Sequence, residues 1–430
     1  MSLARPEILQ TLPGPEDITR VELPNGIVVL VRSNFESASV TLSGYLPAGG
    51  LFDPPEKLGL AHFTALGLTR GTERHHFQQI FNLLESAGAS LGFGASVYNI
   101  NFGGRALAED LPLLLSLLAE CLRIPRFPQK PIERLRRQIL TGIAIRDQDP
   151  ADRAEMMFDE VLFPNHPFGK PTDGTRHTIA RITREDLLAF HRHYFGPRGM
   201  TLVIVGAVSA EQVLEEVQRT LGDWQNPLQP AFPEIPAVAP LAQSVRSHIA
   251  LPGKVQTELV MGTLGPSRLS PDFMPASLGN NILGQFGLMG RIGNVVREQE
   301  GLAYEASTSL NAWKDAGTWE VTAGVNPANL QRAIDLILAE IRRFIAEPVS
   351  WEELRDSQSH YLGRLPLSLE SNAGVAHAIL NLERFQLGLD YYKRYPALVE
   401  SVTPEQILEV ARRWLDPERF AIISAGPPME

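Results

Sequence analysis

Apolar and polar positions along the chain follow two rhythms, one of about two residues and one near 3.6, and their changeovers outline the elements. Residues 21–31 carry two apolar runs separated by Asn25-Gly26, a pair that supplies the positive-φ turn of a β-hairpin. Residues 39–48 alternate as a third strand. A helix containing His62 follows. Residues 77–87 predict another, with Phe77, Ile80, Phe81 and Leu84 on one face and Gly88 just past the end. Residues 90–105 read as a long strand region rich in small side chains. Helices are expected over 111–122 and 131–147, with Pro131 placed where a first-turn proline is tolerated.

The pattern repeats at an offset of 220 residues (Ile182 to Val402). Ile182-Thr183-Arg184-Glu185-Asp186-Leu187-Leu188 aligns with Val402-Thr403-Pro404-Glu405-Gln406-Ile407-Leu408. His191 to Pro197 aligns with Ala411 to Pro417, and an apolar strand follows each: Met200 to Val205, and Phe420 to Ser424. Thr183 and Thr403 are good helix N-caps, and Gln406 completes a capping box. Leu118-Ala119-Glu120 and Leu338-Ala339-Glu340 show the same separation. Chance likeness of two amphipathic helices does not account for cap, proline and strand agreeing together. Between the copies, residues 226–240 contain five prolines, a stiff extended strap. The expected fold is therefore α+β, with two homologous α/β-sandwich halves at 15–225 and 241–430 joined by the linker at 226–240.

Composition narrows the function. The chain has 430 residues, of which 44% are apolar and 20% charged, as in an ordinary globular protein. Its net charge of −10, from 39 basic and 49 acidic residues, and the lack of any Lys/Arg block argue against a nucleic-acid binder. No apolar run approaches the ~18 residues of a membrane span. Cys121, the single cysteine, excludes an internal disulfide framework and reads as a small buried hydrophobe. The start, Met1 to Pro6, lacks the features of a secretory leader. The cytoplasm is the default compartment, with the periplasm as the alternative if a leader has been removed.

The chemistry centres on Gly59-Leu60-Ala61-His62-Phe63-Thr64-Ala65-Leu66-Gly67-Leu68-Thr69-Arg70-Gly71-Thr72. This stretch resembles the metal helix of the inverted zinc peptidases, the pitrilysin/insulinase family that includes mitochondrial processing peptidase. There the helix carries His-x-x-Glu-His between a Gly-Leu-Ala lead and a Gly-Thr exit. Two histidines at i and i+4 share a face and hold zinc, with the glutamate beside it as base. Here only His62 is kept; Ala65 stands at the glutamate position and Leu66 at that of the second histidine. The resemblance places a third ligand, a glutamate, roughly 76 residues on, where this chain has Thr141 and Gly142. It thus implies a subunit with no catalytic zinc of its own. Further landmarks in family order, His166-Pro167-Phe168-Gly169, Gly174-Thr175 and Gly301-Leu302-Ala303-Tyr304, extend the resemblance over nearly the whole chain.

Arg297 falls near a helix end, Gly301 is the expected glycine past it, and Tyr304 opens an alternating strand through Trp313. Taken alone, the pair reads as an arginine answering a helix dipole and a half-buried strand tyrosine. The resemblance gives it a role, because in the family an arginine and a tyrosine at this spacing bind substrate across from the zinc helix. Both are donors suited to a peptide carbonyl or a developing oxyanion. In two-subunit members one chain holds zinc and its partner supplies this pair. The implied function is a non-catalytic subunit of a processing-peptidase-like heterodimer. It binds peptide through Arg297 and Tyr304, with zinc in the partner, a zinc-bearing homologue.

Two other functions compete. One is a peptide-binding or structural scaffold of the same fold. The other is a stand-alone metallopeptidase using His62 with Asp147 and Asp149 as substitute acids, which lie past the lost glutamate position. His75-His76 and the pair His191 and His193 diverge in direction and read as solvated. Gly284, Gly287 and Gly290 lack the lysine and serine of a phosphate loop. The 90–104 strand is the candidate edge for adding an extended peptide.

Overall fold

A computed structural model describes residues 12–429; the start read at residues 1–6 lies outside them. Two sheets carry the fold. The first holds β1 (Thr19–Glu22), β2 (Val28–Ser33), β3 (Ser39–Leu46), β4 (Ser90–Ala95), β5 (Ile100–Leu107) and β6 (Thr201–Gly206), in the order β1-β2-β6-β3-β5-β4. The second holds β7 (Val245–Ala250), β8 (Thr257–Leu264), β9 (Ala303–Ala312), β10 (Gly317–Val325) and β11 (Ala421–Gly426), in the order β7-β11-β8-β10-β9. Dropping β1 makes the two orders superimpose strand for strand. Each sheet has one parallel pair, β2 with β6 and β7 with β11, and is otherwise antiparallel. The central strands β6 and β11, 220 residues apart (201 to 421), are buried along their whole length.

The first half supplies helices α1 (Leu60–Gly67), α2 (Phe77–Ser86), α3 (Leu111–Arg123), α4 (Gln129–Arg146), α5 (Pro150–Leu162), α6 (Arg176–Arg181), α7 (Arg184–Tyr194) and α8 (Ala210–Leu221). The second supplies α9 (Phe273–Gly284), α10 (Phe286–Gly293), α11 (Leu330–Ala346), α12 (Trp351–Ser368), α13 (Asn372–Arg384), α14 (Tyr391–Glu400) and α15 (Pro404–Trp414). The repeat signature is visible in the caps. Thr183 Oγ1 accepts from the Asp186 amide at 3.1 Å, and Thr403 Oγ1 from that of Gln406 at 3.3 Å. Each residue also closes a reciprocal capping box.

Each sheet buries one face under helices of its own half. The other face is covered from across the molecule. α5 brings Ala154, Phe158 and Leu162 onto Val260 and Ile423 of the second sheet. In return α13 brings Val375, Ala376 and Ile379 onto Leu30, Val203 and Val205 of the first. Full burial of each such aliphatic or aromatic side chain is worth ~1.5–3 kcal/mol, so this exchange of helices ties the halves together. Polar contacts add register: Arg20 grips Glu383 through Nε at 2.9 Å and Nη2 at 2.8 Å, and Asn34 donates to Asn372 at 2.7 Å. Residues 229–241 of the strap form no helix or strand. Phe232 of the strap nevertheless stacks on Tyr98 and meets Phe52 edge-on.

Three local expectations change. Residues 90–105 are two strands rather than one region, because the Ser96 amide donates to the Asn99 carbonyl at 2.8 Å and reverses the chain. His191 is not solvated; it packs against Phe127 and Phe195, and its Nε2 lies 2.8 Å from the Leu122 carbonyl. Burial holds its imidazole down at about 4. His75 is half-buried with Nδ1 2.9 Å from the buried Glu120 carboxylate, while His76 caps α2.

Candidate functional site

α1 begins abruptly. Gly59 takes φ +90°, and a Cβ there would lie 2.7 Å from the Asp173 carbonyl oxygen, so the position demands glycine. The buried Asp53 carboxylate closes the N-terminus, accepting from the Gly59 amide at 2.7 Å and the Ala61 amide at 2.8 Å. Burial pushes this carboxyl up to about 7 against the pull of those donors. Asp53 was not read from the sequence. It caps from outside the helix, and no i-to-i+3 spacing marks it.

From that start the helix sorts its side chains. Phe63 and Ala65 are fully buried in the core of the first half. His62 and Leu66, one turn apart, face the other way and line a cavity of about 300 Å³. Leu135, Gln138, Ile139, Gly142 and Ile143 of α4 form its opposite wall, with Arg70 and Asp173 at the edge. The structure thus brings His62, Leu66 and Gly142 together. Ala65 points into the core instead. Thr141 lies outside the cavity, with its hydroxyl returned to the Arg137 carbonyl at 2.9 Å.

These residues do not fit a catalytic zinc. His62 is the only nitrogen donor of the set. Burial lowers its pKa, with Asp173 opposing, so it is a neutral imidazole near pH 7. Leu66 and Gly142 offer no donor atom, and Asp173 is held by the Arg146 guanidinium. Asp147 is also bound to Arg146, at 2.9 Å, and Asp149 caps α5 through the amides of Ala151 and Asp152. Neither lines the cavity. Among the described residues no group of three or more His, Cys, Asp or Glu side chains is placed to hold a metal ion.

In the second half, α10 runs on into a wider turn over Asn294–Gln299 that contains Arg297. The Gly301 amide bonds back to the Arg297 carbonyl at 3.0 Å and the Leu302 amide to that of Val296 at 2.9 Å, with Gly301 at φ +63°. This hairpin turns the chain into β9 and sets the Arg297 guanidinium 5.8 Å from the centre of the Tyr304 ring. Tyr304 is 84% exposed, not the half-buried strand tyrosine expected of the pair taken alone. Arg297 is half-buried, with only a loose pairing to Glu298 at 3.5 Å.

The two sets of residues sit near matching outer strands of the two sheets. α1 packs on β4, the outer strand of the first sheet, and Tyr304 lies on β9, the outer strand of the second. Each outer strand leaves one row of backbone groups unpaired by its sheet.

Residues 28–176 match the family described as insulinase (peptidase family M16), and residues 181–361 match the peptidase M16 inactive domain. An uncharacterized zinc protease of Mycobacterium leprae is 23% identical over 95% of this chain and 92% of its own length. One from Bacillus subtilis is 22% identical over 82% and 85%. The crystal structure of a peptidase M16 inactive domain from Pseudomonas fluorescens superimposes with a TM-score of 0.88 at 25% identity, covering 96% of this chain and 98% of that one. A protease from Helicobacter pylori shares the fold, with a TM-score of 0.88 at 18% identity over 97% and 100% of the two chains.

Proposed function

The chain belongs to the insulinase family (peptidase family M16), and on that premise we propose that it is a zinc-less subunit completing the active site of a zinc-bearing partner. The observation that carries the reading is the contrast between the two halves. The cavity at the family's metal position sets one histidine, His62, against a leucine and a glycine, with Asp173 already held by Arg146. The Arg297–Tyr304 pair, by contrast, is intact and presented to solvent. The curated relatives are named zinc proteases; with Ala65 in the core and no second ligand, this chain lacks the base and donors for that chemistry alone.

In the proposed complex an extended peptide adds to an outer strand. Tyr304 Oη and the Arg297 guanidinium donate to its carbonyl as negative charge develops, while the partner supplies the metal-activated water. A pure scaffold would leave the exposed pair without a task. The test pairs this chain with a homologue carrying His-x-x-Glu-His. Neither this chain alone nor the complex with Arg297→Ala or Tyr304→Phe should cleave an unstructured peptide at the full rate. Each variant should lose about 10²–10³ in rate, the usual effect of removing one oxyanion donor. Assembly, followed by sedimentation, should persist. Wild-type kcat and KM in both variants would transfer the reading to the scaffold.

A further inference from the structure

The cavity beside His62 is lined by one guanidinium, Arg70, and by Asp173, which Arg146 already holds, and two more arginines line an adjoining opening. Arg70, at the end of the His62 helix, stacks over Phe77 at 5.1 Å, and its Nε is buried without a hydrogen-bond partner. Among the described residues it makes no ion pair, and its pKa is lowered by burial and then by the neighbouring Arg134. Arg134 and Arg137, one turn earlier on α4 than Gln138 and Thr141, line an adjoining opening that shares Gln138 with the His62 cavity. Neither is ion-paired among the described residues. The neighbouring acids are already engaged: Asp173 with Arg146, and Glu133 with Arg136. Arg70, with its Nε buried and unpartnered, is the unanswered charge of the cavity; Arg134 and Arg137 stand exposed at the adjoining opening, so an anion entering there meets positive charge on both sides.

The rest of the lining narrows the anion. Leu135, Ile139 and Ile143 make the α4 wall largely apolar, and Leu66 faces them from α1. A bare phosphate would leave that wall uncovered. A carboxylate next to an aliphatic side chain satisfies both surfaces, with the acid on the guanidiniums and the side chain on the leucines and isoleucines. We propose that the His62 cavity binds the carboxylate of an aliphatic acid group, presented as the C-terminal residue of a peptide, on Arg70 with Arg134 reaching in from the adjoining opening. The site goes beyond the partner-dependent reading, because it needs neither zinc nor a second subunit.

The test uses the whole chain by itself and titration calorimetry. The probes are an acetylated dipeptide ending in leucine with a free carboxylate, the same dipeptide as its C-terminal amide, and isovalerate. The acid should bind about tenfold or more tighter than the amide, the least that a charge-assisted hydrogen bond contributes. Arg70→Gln and Arg134→Gln should each remove that difference. Arg134 is exposed, so its variant folds even if that of Arg70 does not. Binding of the peptide acid above isovalerate supports the peptide source; equal binding supports the same site for free acids. Equal binding of acid and amide, or an acid preference untouched by both substitutions, overturns the proposal. Arg297→Ala should leave this binding unchanged, so failure here and failure of the two-subunit reading are read separately.

Discussion

Replacing Glu320 by glutamine should flatten the loss of stability between pH 5 and 7. Glu320 lies on β10 with 7% exposure, facing the α5 layer rather than the core that holds Trp319 and Val321. Burial, followed by repulsion from Glu155, raises its carboxyl from 4.5 to about 7. Burial, then Glu320 and Glu155, raises Asp159 on α5 from 3.8 to about 8. The sign follows from proton counts. Below about pH 3 both groups are protonated folded and unfolded, and nothing is lost. Between the unfolded and folded values the unfolded chain has released protons that the native state keeps, so unfolding becomes easier as pH rises. With the two values for Glu320, integration from pH 5 to 7 gives ~2 kcal/mol of lost stability for that group alone. Asp159 adds a similar amount, but their mutual repulsion is shared and the two do not sum. The assay is urea unfolding of wild type and Glu320→Gln at pH 5, 6, 7 and 8. The gap should move in favour of the variant by ~2 kcal/mol between pH 5 and 7. Taking the difference cancels groups such as His191, whose depressed pKa works the opposite way. A gap constant across that range would falsify the account of a strained acidic layer.

Gly142 sits in the exposed middle of α4 and a Cβ there meets nothing within 4 Å, so Gly142→Ala should raise stability by ~0.5–1 kcal/mol in thermal or urea unfolding. Leu66→His with Gly142→Glu should give the chain chelator-sensitive zinc together with His62, measured by elemental analysis. Adding Ala65→Glu should destabilise it by burying a carboxylate in the core. Asp53→Ala should cost ~1–3 kcal/mol by leaving two amides of the α1 start unanswered, seen as faster hydrogen exchange across residues 59–63; unchanged exchange there would show that the cap is idle.

Much of this was legible because its signals are local. The caps at Thr183 and Thr403, the Asn25-Gly26 turn and the glycine at 301 act within a few residues, and sequence shows them directly. The repeat then carried the two-half fold. What escaped was non-local. Nothing in the apolar face of α5 says that it covers the second sheet, since Phe158 packs equally well on valine from either half. The turn at 96–99 carries no glycine or proline, so it merged with its strands. Asp53 and the free arginines are defined by what lies beside them after folding. A charge without a partner has no sequence signature, because its partner's absence is a property of three dimensions.

The same distinction explains how a zinc motif can lose its ligands and keep its shape. In a metal site the ion ties the first helix to the one carrying the third ligand. Here other links span the same gap. Asp53 closes the start of α1, and the Thr178 hydroxyl donates to the Leu58 carbonyl at 2.7 Å just before it. Arg136 of α4 lies 5.1 Å from the centre of the Phe63 ring and donates to the Ile179 carbonyl. One guanidinium thus spans α4, α1 and α6. With α1 and α4 held by a capping carboxylate, a guanidinium and core packing, the metal position is free of structural duty. The cavity it leaves keeps a shape set by the protein. On the proposal made above, the guanidiniums beside it bind an anion, and such a site holds a peptide end without cutting it.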